Sequence, residues 1–479
     1  MTPLPDSADF DFIVIGGGSA GYAAARTAAS LGLTTAVIDG APELGGLCIL
    51  RGCMPSKTLI ESANRALTLR RAAEFGLSAH PGPPNIPAIR DRKRTLIADF
   101  ASYRQGQLED GRFTLHRAHA SFLDPHTLSV TPIDGSPTFS LTGRTFCVAT
   151  GSVASIPPIP GLAETGFWTS DDLLDADSLP ASCIVLGGGA IALELAHYLD
   201  AMGTRTTLIQ RNHQLLTGLD PEASNVVRTA YAQRGITTHC GTQIHRIQNT
   251  SDGQKQIHFT DATGDHHLTA DQILVALGRH PNTDPLHLAN ARVSLTGKKI
   301  VVQPTQQSTQ PHLFAAGDVA SPLDVVHLAI EQGEIAARNA HRLITRSPEP
   351  LEHIDFRLRL FGVFSHPQVA AVGASESELK SQKIPFLTAS YPFDDHGKSM
   401  TMGETHGFVK MLAHAETGEI LGALCVGLEA TELIHEVVVA MRFRATAATF
   451  ARIPHYHPTL SEIWTYPAED LADQIPLPP

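Results

Sequence analysis

The stretch FDFIVIGGGSAGYAAARTAASLGLTTAVID, residues 10–39, decides the fold of the N-terminal part of the chain. Its first residues, Phe10–Ile15, form a short apolar run with β-branched side chains, which is typical of a buried parallel strand. The glycine-rich segment 16–21 follows directly, and the alanine-rich run 22–31 predicts a helix that ends before a glycine. A second apolar run, 34–38, completes a strand–helix–strand unit.

The three motif glycines of this unit suit the binding of a dinucleotide. Gly16 permits a tight turn, Gly18 lets the backbone approach a pyrophosphate, and Gly21 lets the helix pack on the strand. The helix N-terminus offers free N–H groups and a partial positive charge. Asp39 stands about twenty positions beyond Gly18, where a carboxylate can bond ribose hydroxyls. A glycine turn without a ligand is the alternative, but strand, glycines, helix and acid occur together, as the motif requires.

The same order of elements returns later in the chain. Residues 183–186 predict a strand, Gly187-Gly188-Gly189-Ala190-Ile191-Ala192 forms the turn, 193–202 predicts a helix and 206–209 predicts the next strand. Alanine at the third glycine position still permits close packing of helix and strand. The chain therefore contains two dinucleotide-binding units, which are a distant repeat of one architecture.

The end of the second unit indicates which nicotinamide cofactor it binds. The position equivalent to Asp39 holds Gln210, and Arg211 follows it. A carboxylate here would bond the ribose 2′-hydroxyl and repel a 2′-phosphate, whereas an arginine attracts the phosphate. The pattern favours NADPH over NADH. The alternative is that Arg211 is simply exposed to solvent.

Composition excludes several classes of protein. The 479 residues carry a net charge of -12, which argues against nucleic acid as a partner because phosphate binding needs a basic surface. No stretch of about 18 apolar residues lacks charge, so no membrane span is predicted. The N-terminus shows no secretory signal, and six cysteines are too few for a disulfide scaffold, so a cytoplasmic location is predicted. The 24 histidines lack the spacing of a metal site, and no metal is predicted.

Two further regions complete the organisation of the chain. The segment 55–109, between the two units, is predicted to be helical. After residue 348, strand-like runs at 361–364, 407–411 and 420–426 surround a predicted helix at 432–443, which indicates a C-terminal α+β domain. The fold class is therefore α/β, with two Rossmann-like dinucleotide-binding domains and this C-terminal domain.

A pair of cysteines lies between the first unit and the helical region, in GGLCILRGCMPSK, residues 45–57. Cys48 and Cys53 can form a disulfide if the backbone bends, and Gly52 permits that bend. Pro55 suits the first turn of a helix, and a helix N-terminus stabilises a thiolate at Cys53. Two alternatives are a metal site, which needs further ligands that are not found nearby, and two buried structural thiols.

In combination, these motifs resemble the class I pyridine nucleotide-disulfide oxidoreductases, the flavoprotein family of glutathione reductase, dihydrolipoamide dehydrogenase and mercuric reductase. The resemblance runs over nearly the whole chain. Besides the two glycine motifs and the cysteine pair, it includes Ala149-Thr150-Gly151-Ser152, Gly278-Arg279-His280-Pro281-Asn282-Thr283, Phe314-Ala315-Ala316-Gly317-Asp318 and His457-Pro458-Thr459-Leu460-Ser461-Glu462. It implies an FAD-binding domain at 1–155 and 280–347, an NAD(P)-binding domain at 156–279 and a C-terminal dimerisation domain at 348–479.

The resemblance also implies two cofactors, FAD and either NADPH or NADH. Lys57 and Glu194 would form the ion pair near flavin N5. The residues implied to line the FAD site are Gly16, Gly18, Ser19, Ala20, Asp39, Gly46, Cys48, Lys57, Ala120, Thr150, Gly151 and Asp318. Those implied to hold the nicotinamide cofactor are Gly187, Gly189, Ala190, Glu194, Arg211 and Gly278.

The implied catalytic groups are two thiols and a histidine. Cys48 resembles the thiol that attacks the substrate disulfide, and Cys53 resembles the thiol that contacts the flavin. His457, oriented by Glu462, resembles the acid/base that the partner subunit supplies, which implies a homodimer. Thiol–disulfide exchange needs a proton donor for the leaving thiolate, and a histidine can donate near neutral pH. His455 is the competing candidate.

The implied activity is that of an FAD-dependent NAD(P)H:disulfide oxidoreductase, similar to glutathione reductase. Electrons would pass from NADPH through FAD and the cysteine pair to a small disulfide. NAD-linked oxidation of dihydrolipoamide and a non-catalytic, redox-sensing flavoprotein are the alternatives. Ser19 and Arg26 match positions that touch glutathione in its reductase, whereas Leu47, Ala190 and Thr217 depart from the residues usual there. The sequence therefore leaves the identity of the disulfide open.

Overall fold

A computed structural model describes residues 4–5, 7–79 and 82–475. It divides the chain into two compact units. The first unit comprises Met1–Ser56, Asp91–Ser155 and Arg279–Asp355, and the second comprises Lys57–Arg90, Ile156–Gly278 and Phe356–Pro479. The predicted three-domain division, with its boundaries, stays a prediction.

The strands are distributed over the whole chain. In chain order they are β1 (Phe10–Ile15), β2 (Thr35–Ile38), β3 (Thr114–His116), β4 (Ala118–Asp124), β5 (Thr127–Pro132), β6 (Phe139–Val148), β7 (Ser152–Ala154), β8 (Ser182–Leu186), β9 (Arg205–Gln210), β10 (Thr237–Cys240), β11 (Gln243–Asn249), β12 (Lys255–Asp261), β13 (Gly264–Ala270), β14 (Gln272–Val275), β15 (Arg279–Pro281), β16 (Leu295–Thr296), β17 (Lys299–Ile300), β18 (Leu313–Ala315), β19 (Leu360–Val363), β20 (Gln368–Gly373), β21 (Phe386–Pro392), β22 (Phe408–His414) and β23 (Ile420–Gly427).

The α-helices include long, regular ones and several single turns. They are α1 (Ser19–Ser30), α2 (Gly46–Leu50), α3 (Cys53–Arg70), α4 (Ile86–Leu108), α5 (Leu162–Thr165), α6 (Ser170–Leu174), α7 (Ala190–Ala201), α8 (Pro221–Gln233), α9 (Val326–Thr345), α10 (Glu376–Gln382), α11 (Gly397–Thr401), α12 (Ala430–Arg442), α13 (Ala447–Phe450) and α14 (Thr465–Gln474). Short 3-10 helices lie at Ala72–Phe75, Asp284–Leu286, Phe356–Leu358, Phe393–Asp395 and Ser461–Trp464.

The first unit is built on a seven-stranded sheet with the order β3-β2-β1-β6-β5-β4, in which β18 also pairs with β6. The pairs of β1 with β2 and β6 are parallel, whereas β4, β5 and β6 form an antiparallel meander. Side chains of β1 are buried on both faces: Ile13 and Ile15 join one core, and Phe12 and Val14 join the other. This burial explains why residues 12–15 of β1 are all apolar rather than alternating with polar ones.

Helices α1 and α9 pack closely on one face of this sheet because small residues lie where they meet. A Cβ built on Gly333 of α9 would overlap the carbonyl oxygen of Ala20 in α1. Ala24 of α1 and Ala336 and Ala337 of α9 are fully buried. The alanine-rich composition of α1 therefore reflects a close helix–helix contact as well as helix propensity.

The second unit contains a four-stranded parallel sheet, a three-stranded antiparallel sheet and a five-stranded antiparallel sheet. Their orders are β10-β9-β8-β14, β11-β12-β13 and β19-β20-β23-β22-β21. Helix α7 follows β8 through the second glycine turn, as α1 follows β1. The fully buried side chains of Phe393, Phe450 and Trp464 belong to the core beside the five-stranded sheet.

The sequence predicted most of the central helices and strands, but the predicted starts of two helices were wrong. The strand at Phe10–Ile15 has the predicted bounds, but α1 begins at Ser19 and α7 at Ala190, each three residues before the predicted start. Both helices begin inside the glycine motif, whose small residues the prediction assigned to the turn. The C-terminal α+β architecture is confirmed, with β20 and β21 as additional strands.

Over the described ranges, the structure contains no helix with the length and apolar character that crossing a membrane requires.

Candidate active site

The first glycine turn leaves no room for larger side chains. Gly16 has φ +102°, and a Cβ on it would lie 2.5 Å from the carbonyl oxygen of Ala149. A Cβ on Gly21 would overlap the carbonyl oxygen of Gly16, so the third glycine lets α1 start directly against the turn. The roles predicted for Gly16 and Gly21 thus correspond to steric demands of this backbone.

Asp39, at the end of β2, is tied to the same turn. Its Oδ2 accepts a hydrogen bond of 2.8 Å from the Gly17 N–H, and its Oδ1 accepts one of 2.8 Å from the Ala41 N–H. These bonds fix the carboxylate, which is 8% exposed, beside the N-terminus of α1. The position suits a carboxylate that bonds a ribose next to a pyrophosphate.

Gly46 and Gly18 create an open backbone surface at this turn. A Cβ on Gly46 would lie 2.5 Å from the Cα of Gly18. The two segments approach closely because neither residue has a side chain. Together with the N–H groups at the start of α1, where Ser19 and Ala20 lie, this surface fits a dinucleotide phosphate. The residues present therefore fit an FAD site.

A hydrogen-bonded network joins the other residues predicted for the FAD site. Ser152 Oγ donates to Asp318 Oδ2 at 2.6 Å, and Arg279 Nε donates to Ser152 Oγ at 2.8 Å. Thr150 Oγ1 donates to the carbonyl oxygen of Asn282 at 2.7 Å. The segments around Gly151, Arg279 and Asp318 are thus held together by side-chain hydrogen bonds. Ala120 lies in β4, where it pairs with Val130 of β5.

The two predicted redox cysteines lie at a sharp bend of the chain. Cys48 belongs to α2, the short helix that ends at Leu50, and Cys53 is the first residue of α3. A Cβ on Gly52 would lie 3.4 Å from the Cα of Cys48, so the chain turns back on itself between the two cysteines. The structure confirms that Cys53 starts a helix, in which Pro55 occupies the first turn.

Three of the other four cysteines contrast with this pair, and the fourth, Cys240, is partly exposed. Cys147, Cys183 and Cys425 are buried, whereas Cys48 and Cys53 are partly exposed. Burial raises the pKa of Cys147 and of Cys183 to about 12, which keeps both thiols protonated and unreactive. The pair therefore combines exposure with a helix N-terminus, as thiol chemistry requires.

Three guanidinium groups surround the ring of Tyr22 in α1. Arg104 lies 4.1 Å from the ring centroid, and Arg26 and Arg112 each lie 5.9 Å from it. Arg26 donates to Glu334 at 2.7 Å, whereas the buried Nε of Arg104 has no hydrogen-bond partner among the described residues. The sequence prediction named Arg26 but not Arg104, because an arginine one residue after an exposed Tyr103 gives no pattern that marks it.

The second glycine turn repeats the first. Gly187 has φ +128°, and a Cβ on it would overlap the carbonyl oxygen of Ala276. Around Gly189 no atom lies within 4 Å of a Cβ position, and the same holds for Gly278. Ala190 begins α7, and Ala192 is fully buried. The turn therefore has a filled side at Gly187 and an open side at Gly189, where a pyrophosphate fits.

The end of β9 carries the two residues predicted to select the nicotinamide cofactor. Gln210 is 8% exposed, and its side chain donates to the carbonyl oxygen of Gln214. Arg211 is exposed to solvent. Neither Gln210 nor Arg211 carries a carboxylate, the group that would repel a 2′-phosphate at this strand end.

Lys57 and Glu194 form the predicted ion pair within the second unit. Lys57 Nζ lies 2.7 Å and 2.9 Å from the two carboxylate oxygens of Glu194. Glu194 also accepts a hydrogen bond of 3.0 Å from the Phe364 N–H, and the Lys57 ammonium lies 4.6 Å from the centroid of the Phe364 ring. Sequence reasoning missed Phe364, since its role depends on a backbone N–H that any residue would supply.

His457 and Glu462 also come together, as predicted. His457 Nδ1 lies 3.0 Å and 3.2 Å from the carboxylate oxygens of Glu462, and the imidazole is 78% exposed. The competitor His455 is bonded to a different acid, Glu436, at 2.6 Å. The exposed Nε2 of His457 is thus free to meet another molecule, while its carboxylate partner is 7% exposed.

No group of three or more His, Cys, Asp or Glu residues in the described chain is arranged to hold a metal ion.

The two glycine turns and the bent cysteine pair define a protein that moves electrons between dinucleotides and sulfur. A family model described as pyridine nucleotide-disulphide oxidoreductase matches residues 10–333, and the dimerisation domain of that family matches residues 361–468. The chain belongs to the pyridine nucleotide-disulphide oxidoreductase family. It is an oxidoreductase that acts on sulfur groups and uses FAD and NAD(P)H as cofactors.

Curated relatives and a solved structure agree with this assignment. The chain is 32% identical to a dihydrolipoyl dehydrogenase of Chlamydia pneumoniae over 95% of both chains, and 32% identical to that of Bacillus subtilis (strain 168) over 95% of this chain and 96% of the relative. It is 30% identical to a mercuric reductase of Staphylococcus aureus over 91% and 78%. The fold matches that of the HOCl-induced flavoprotein disulfide reductase RclA from Escherichia coli, in its Cu(II) complex, with a TM-score of 0.83, 24% identity and coverage of 97% and 99%.

Proposed function

We propose that the chain is an NADPH-dependent reductase of a small disulfide, similar to glutathione reductase, with Cys48 and Cys53 as its redox pair. The observation that carries the proposal is the bend at Gly52, which folds the chain back toward Cys48 just before Cys53 starts α3. Both cysteines are partly exposed, and Cys53 lies at a helix N-terminus, which stabilises a thiolate. These properties suit the reversible formation of a disulfide.

The proposed chemistry is thiol–disulfide exchange. The Cys48 thiolate attacks one sulfur of the substrate disulfide, forms a mixed disulfide and releases a thiolate, which takes a proton from His457 of the partner subunit. The Cys53 thiolate then attacks the Cys48 sulfur, releases the second thiol and re-forms the Cys48–Cys53 disulfide. Bound FAD would supply the transfer of an electron pair from NADPH that reduces this disulfide again.

Several roles follow for the residues around this pair. We assign FAD to Gly16, Gly18, Asp39, Gly46, Thr150, Gly151 and Asp318, and the nicotinamide cofactor to Gly187, Gly189, Ala190, Arg211 and Gly278. Glu194 would orient Lys57, whose ammonium can stabilise negative charge on a neighbouring ring. The homodimer belongs to the proposal, since the dimerisation region carries His457 and Glu462. The cytoplasmic location and the lack of nucleic-acid and membrane partners stay predictions from sequence.

The first experiment tests the redox pair. Cys48→Ser and Cys53→Ser should each abolish NADPH-dependent reduction of glutathione disulfide and other small disulfides, while the yellow, FAD-bound protein is still obtained. Cys240→Ser is the matched control, because this half-buried cysteine of β10 takes no part in the reaction and its variant should keep full turnover. Turnover that persists in both pair variants would exclude the mechanism.

The second experiment tests the choice of NADPH. Loss of a charge-assisted hydrogen bond costs about 1.5–3 kcal/mol, so Arg211→Ala should raise KM for NADPH by about tenfold or more and leave KM for NADH unchanged. Arg205→Ala is the control, because Arg205 is exposed at the opposite end of the same strand. Equal effects on both cofactors would show that Arg211 does not contact the 2′-phosphate.

A second candidate is NAD-linked oxidation of dihydrolipoamide. It is supported by the relatives named dihydrolipoyl dehydrogenase, which align over 95% of the chain. Gln210 and Arg211 weigh against it, because an acid at the end of β9 would suit NAD better. Comparison of kcat/KM for dihydrolipoamide with NAD against glutathione disulfide with NADPH decides between the two candidates.

A further inference from the structure

Glu462 lies between two histidines rather than one. On its exposed side it contacts His457 Nδ1, as described above. On its buried side, its Oε1 lies 3.4 Å from Nε2 of His396, whose side chain is 0% exposed. His396 stands between the 3-10 helix Phe393–Asp395 and α11, so a separate segment of the second unit places it there.

The hydrogen bond at the other ring nitrogen bears on the tautomer of His396, since the Ser399 hydroxyl can donate to Nδ1 or accept from it. Its Nδ1 lies 2.8 Å from Oγ of Ser399, which is also fully buried. When the serine hydroxyl donates to Nδ1, the proton of the neutral ring resides on Nε2 and is directed to the side of Glu462. Burial lowers the pKa of His396 against the opposing effect of Glu462, which keeps the ring neutral near pH 7.

Glu462 and His457 are the titratable groups that act electrostatically on His396. The ring of Tyr466 from α14 meets His396 edge-on, with centroids 6.3 Å apart. Asp395, next to His396 in sequence, accepts a hydrogen bond of 2.9 Å from the hydroxyl of Tyr391 in β21. In the described chain, His396 Nε2 has no hydrogen bond of regular geometry, so its contact with the carboxylate is a long, electrostatic one.

We propose that His396 is a positioning residue for the His457–Glu462 pair, which it orients and polarises through the Glu462 carboxylate from the buried side. A donor on Oε1 of Glu462 withdraws negative charge from the carboxylate, both of whose oxygens contact His457 Nδ1. His457 therefore binds its proton less tightly and gives it up more readily to a leaving thiolate. The inference rests on the proposed function, in which His457 carries that proton.

The test measures the pKa of His457 directly, by NMR titration of the holoenzyme with labelled histidine, with His457→Gln used to assign the signal. Replacement of His396 by leucine should move the titration of the His457 signal to higher pH, because the opposing donor is lost. His396→Gln keeps an amide donor and should return the pKa most of the way. His455→Gln is the control, because His455 is bonded to Glu436, and it should leave the pKa of His457 unchanged.

An unchanged pKa of His457 in His396→Leu, or the same shift in the leucine and glutamine variants, would overturn the proposal. If His396→Leu does not yield holoenzyme, Ser399→Ala provides the test. It keeps the ring but removes the hydroxyl that contacts Nδ1, and it should raise the pKa of His457 by a smaller amount; no shift would again count against the proposal. Because the titration needs no turnover, its result is independent of whether the protein reduces a disulfide.

Discussion

At the scale of single residues, glycines at the two nucleotide turns fall into two kinds. Gly21 and Gly187 face backbone atoms of their own unit, and a side chain there would collide with them. Gly189 faces open space instead, although it occupies the same kind of motif. The first kind is required by the fold, and the second is free for a ligand, so substitutions at the two kinds should have different effects.

Gly21→Ala should destabilise the first unit, because the new methyl group would overlap the Gly16 carbonyl oxygen. We expect a loss of about 2 kcal/mol or more in the free energy of unfolding, with poor retention of FAD. Gly106→Ala is the matched control: Gly106 lies in α4 with no atom within 4 Å of its Cβ position, and alanine should stabilise this helix by about 0.5–1 kcal/mol. Urea unfolding and flavin content of the purified proteins measure both effects.

Gly189→Ala should leave the fold intact and weaken the binding of the nicotinamide cofactor. The methyl group meets no protein atom within 4 Å but enters the space assigned to the pyrophosphate. We expect KM for NADPH to rise by about tenfold, which corresponds to about 1.4 kcal/mol, with FAD content and thermal midpoint unchanged. A fall in thermal stability without a change in KM would contradict the assignment of this space to the cofactor.

The Lys57–Glu194 ion pair leads to a further prediction at the residue scale, about the stability of the protein. Glu194 has a side chain that is 6% exposed, and Lys57 is 30% exposed, so Lys57→Met would leave a buried carboxylate without its cation. Because Lys57 is partly solvated, we expect a loss of about 2 kcal/mol in the free energy of unfolding, less than the roughly 3–5 kcal/mol for breaking a fully buried pair. The double variant Lys57→Met/Glu194→Gln should recover part of this loss, since the amide oxygen still accepts from the Phe364 N–H. Urea unfolding of the three proteins gives the comparison.

At the scale of elements, strands that are buried on both faces could be predicted from the sequence, whereas polar, partly exposed strands could not. Four consecutive apolar residues are buried in β1 and in β8, and both strands were predicted. The strands β11 and β13, QIHRIQN and GDHHLTA, are polar and partly exposed, and they depend on hydrogen bonds to β12 between them. The hydropathy pattern of a single strand does not indicate this pairing, because β11 and β13 are each stabilised by their partner strand β12.

The residues of the candidate active site also fall into those that the sequence could predict and those that it could not. Motif residues such as Cys48, Cys53 and Asp39 were predictable because their function requires a residue type at a fixed spacing. Arg104, Phe364 and His396 were not, since each joins its neighbours only after distant segments have packed together. His396 in particular is found beside Glu462 although 65 residues separate them in the chain, as their numbers show.

The edge between β6 and β18 contains a buried histidine that should make stability depend on pH. His312 is 6% exposed, stacks on His126 at 4.1 Å between centroids, and donates a hydrogen bond of 2.8 Å from its Nε2–H to the carbonyl oxygen of Pro125. Burial lowers the pKa of His312 to about 4. As pH falls from about 6.5 to 4, the unfolded chain binds a proton that the folded chain does not, so folded-state stability decreases by up to about 3 kcal/mol.

His312→Asn should remove this dependence. The variant is expected to be less stable than the wild type at pH 7, where the imidazole packs without charge, but to lose less stability on acidification. Unfolding of both proteins in urea at several values between pH 7 and pH 4.5 measures the difference. Parallel curves for the two proteins would exclude His312 as the source.

At the scale of the whole molecule, the C-terminal part of the second unit exposes apolar side chains that suit contact with a second copy. Val439 of α12 is 57% exposed and Phe443, just after its end, is 80% exposed; one helical turn separates them, so they lie on the same face. Both lie inside the segment that matches the dimerisation domain. Tyr456, beside His457, is 84% exposed.

Val439→Glu should therefore produce a monomer that binds FAD but does not reduce a disulfide, because His457 would no longer reach the thiol of another subunit. Light scattering gives the mass, and NADPH-dependent reduction of ferricyanide, which needs no histidine, reports on the remaining electron transfer. Leu123→Glu is the control: this residue is 52% exposed in β4 of the first unit, and its variant should stay dimeric. A monomer with full disulfide reduction would contradict the shared site.

The close contact of α1 with α9 has a consequence for biosynthesis. Its two partners lie near the start of the chain and at Val326–Thr345, so the ribosome must release both before the N-terminal sheet gains its covering helix. The strands β8, β9, β10 and β14, which form one sheet, all lie between α1 and α9 in the chain, and they leave the ribosome before α9 does. The portion translated first is thus completed only after the sheet in the middle of the chain, and nascent chains halted before α9 should have a protease-resistant middle and a labile beginning.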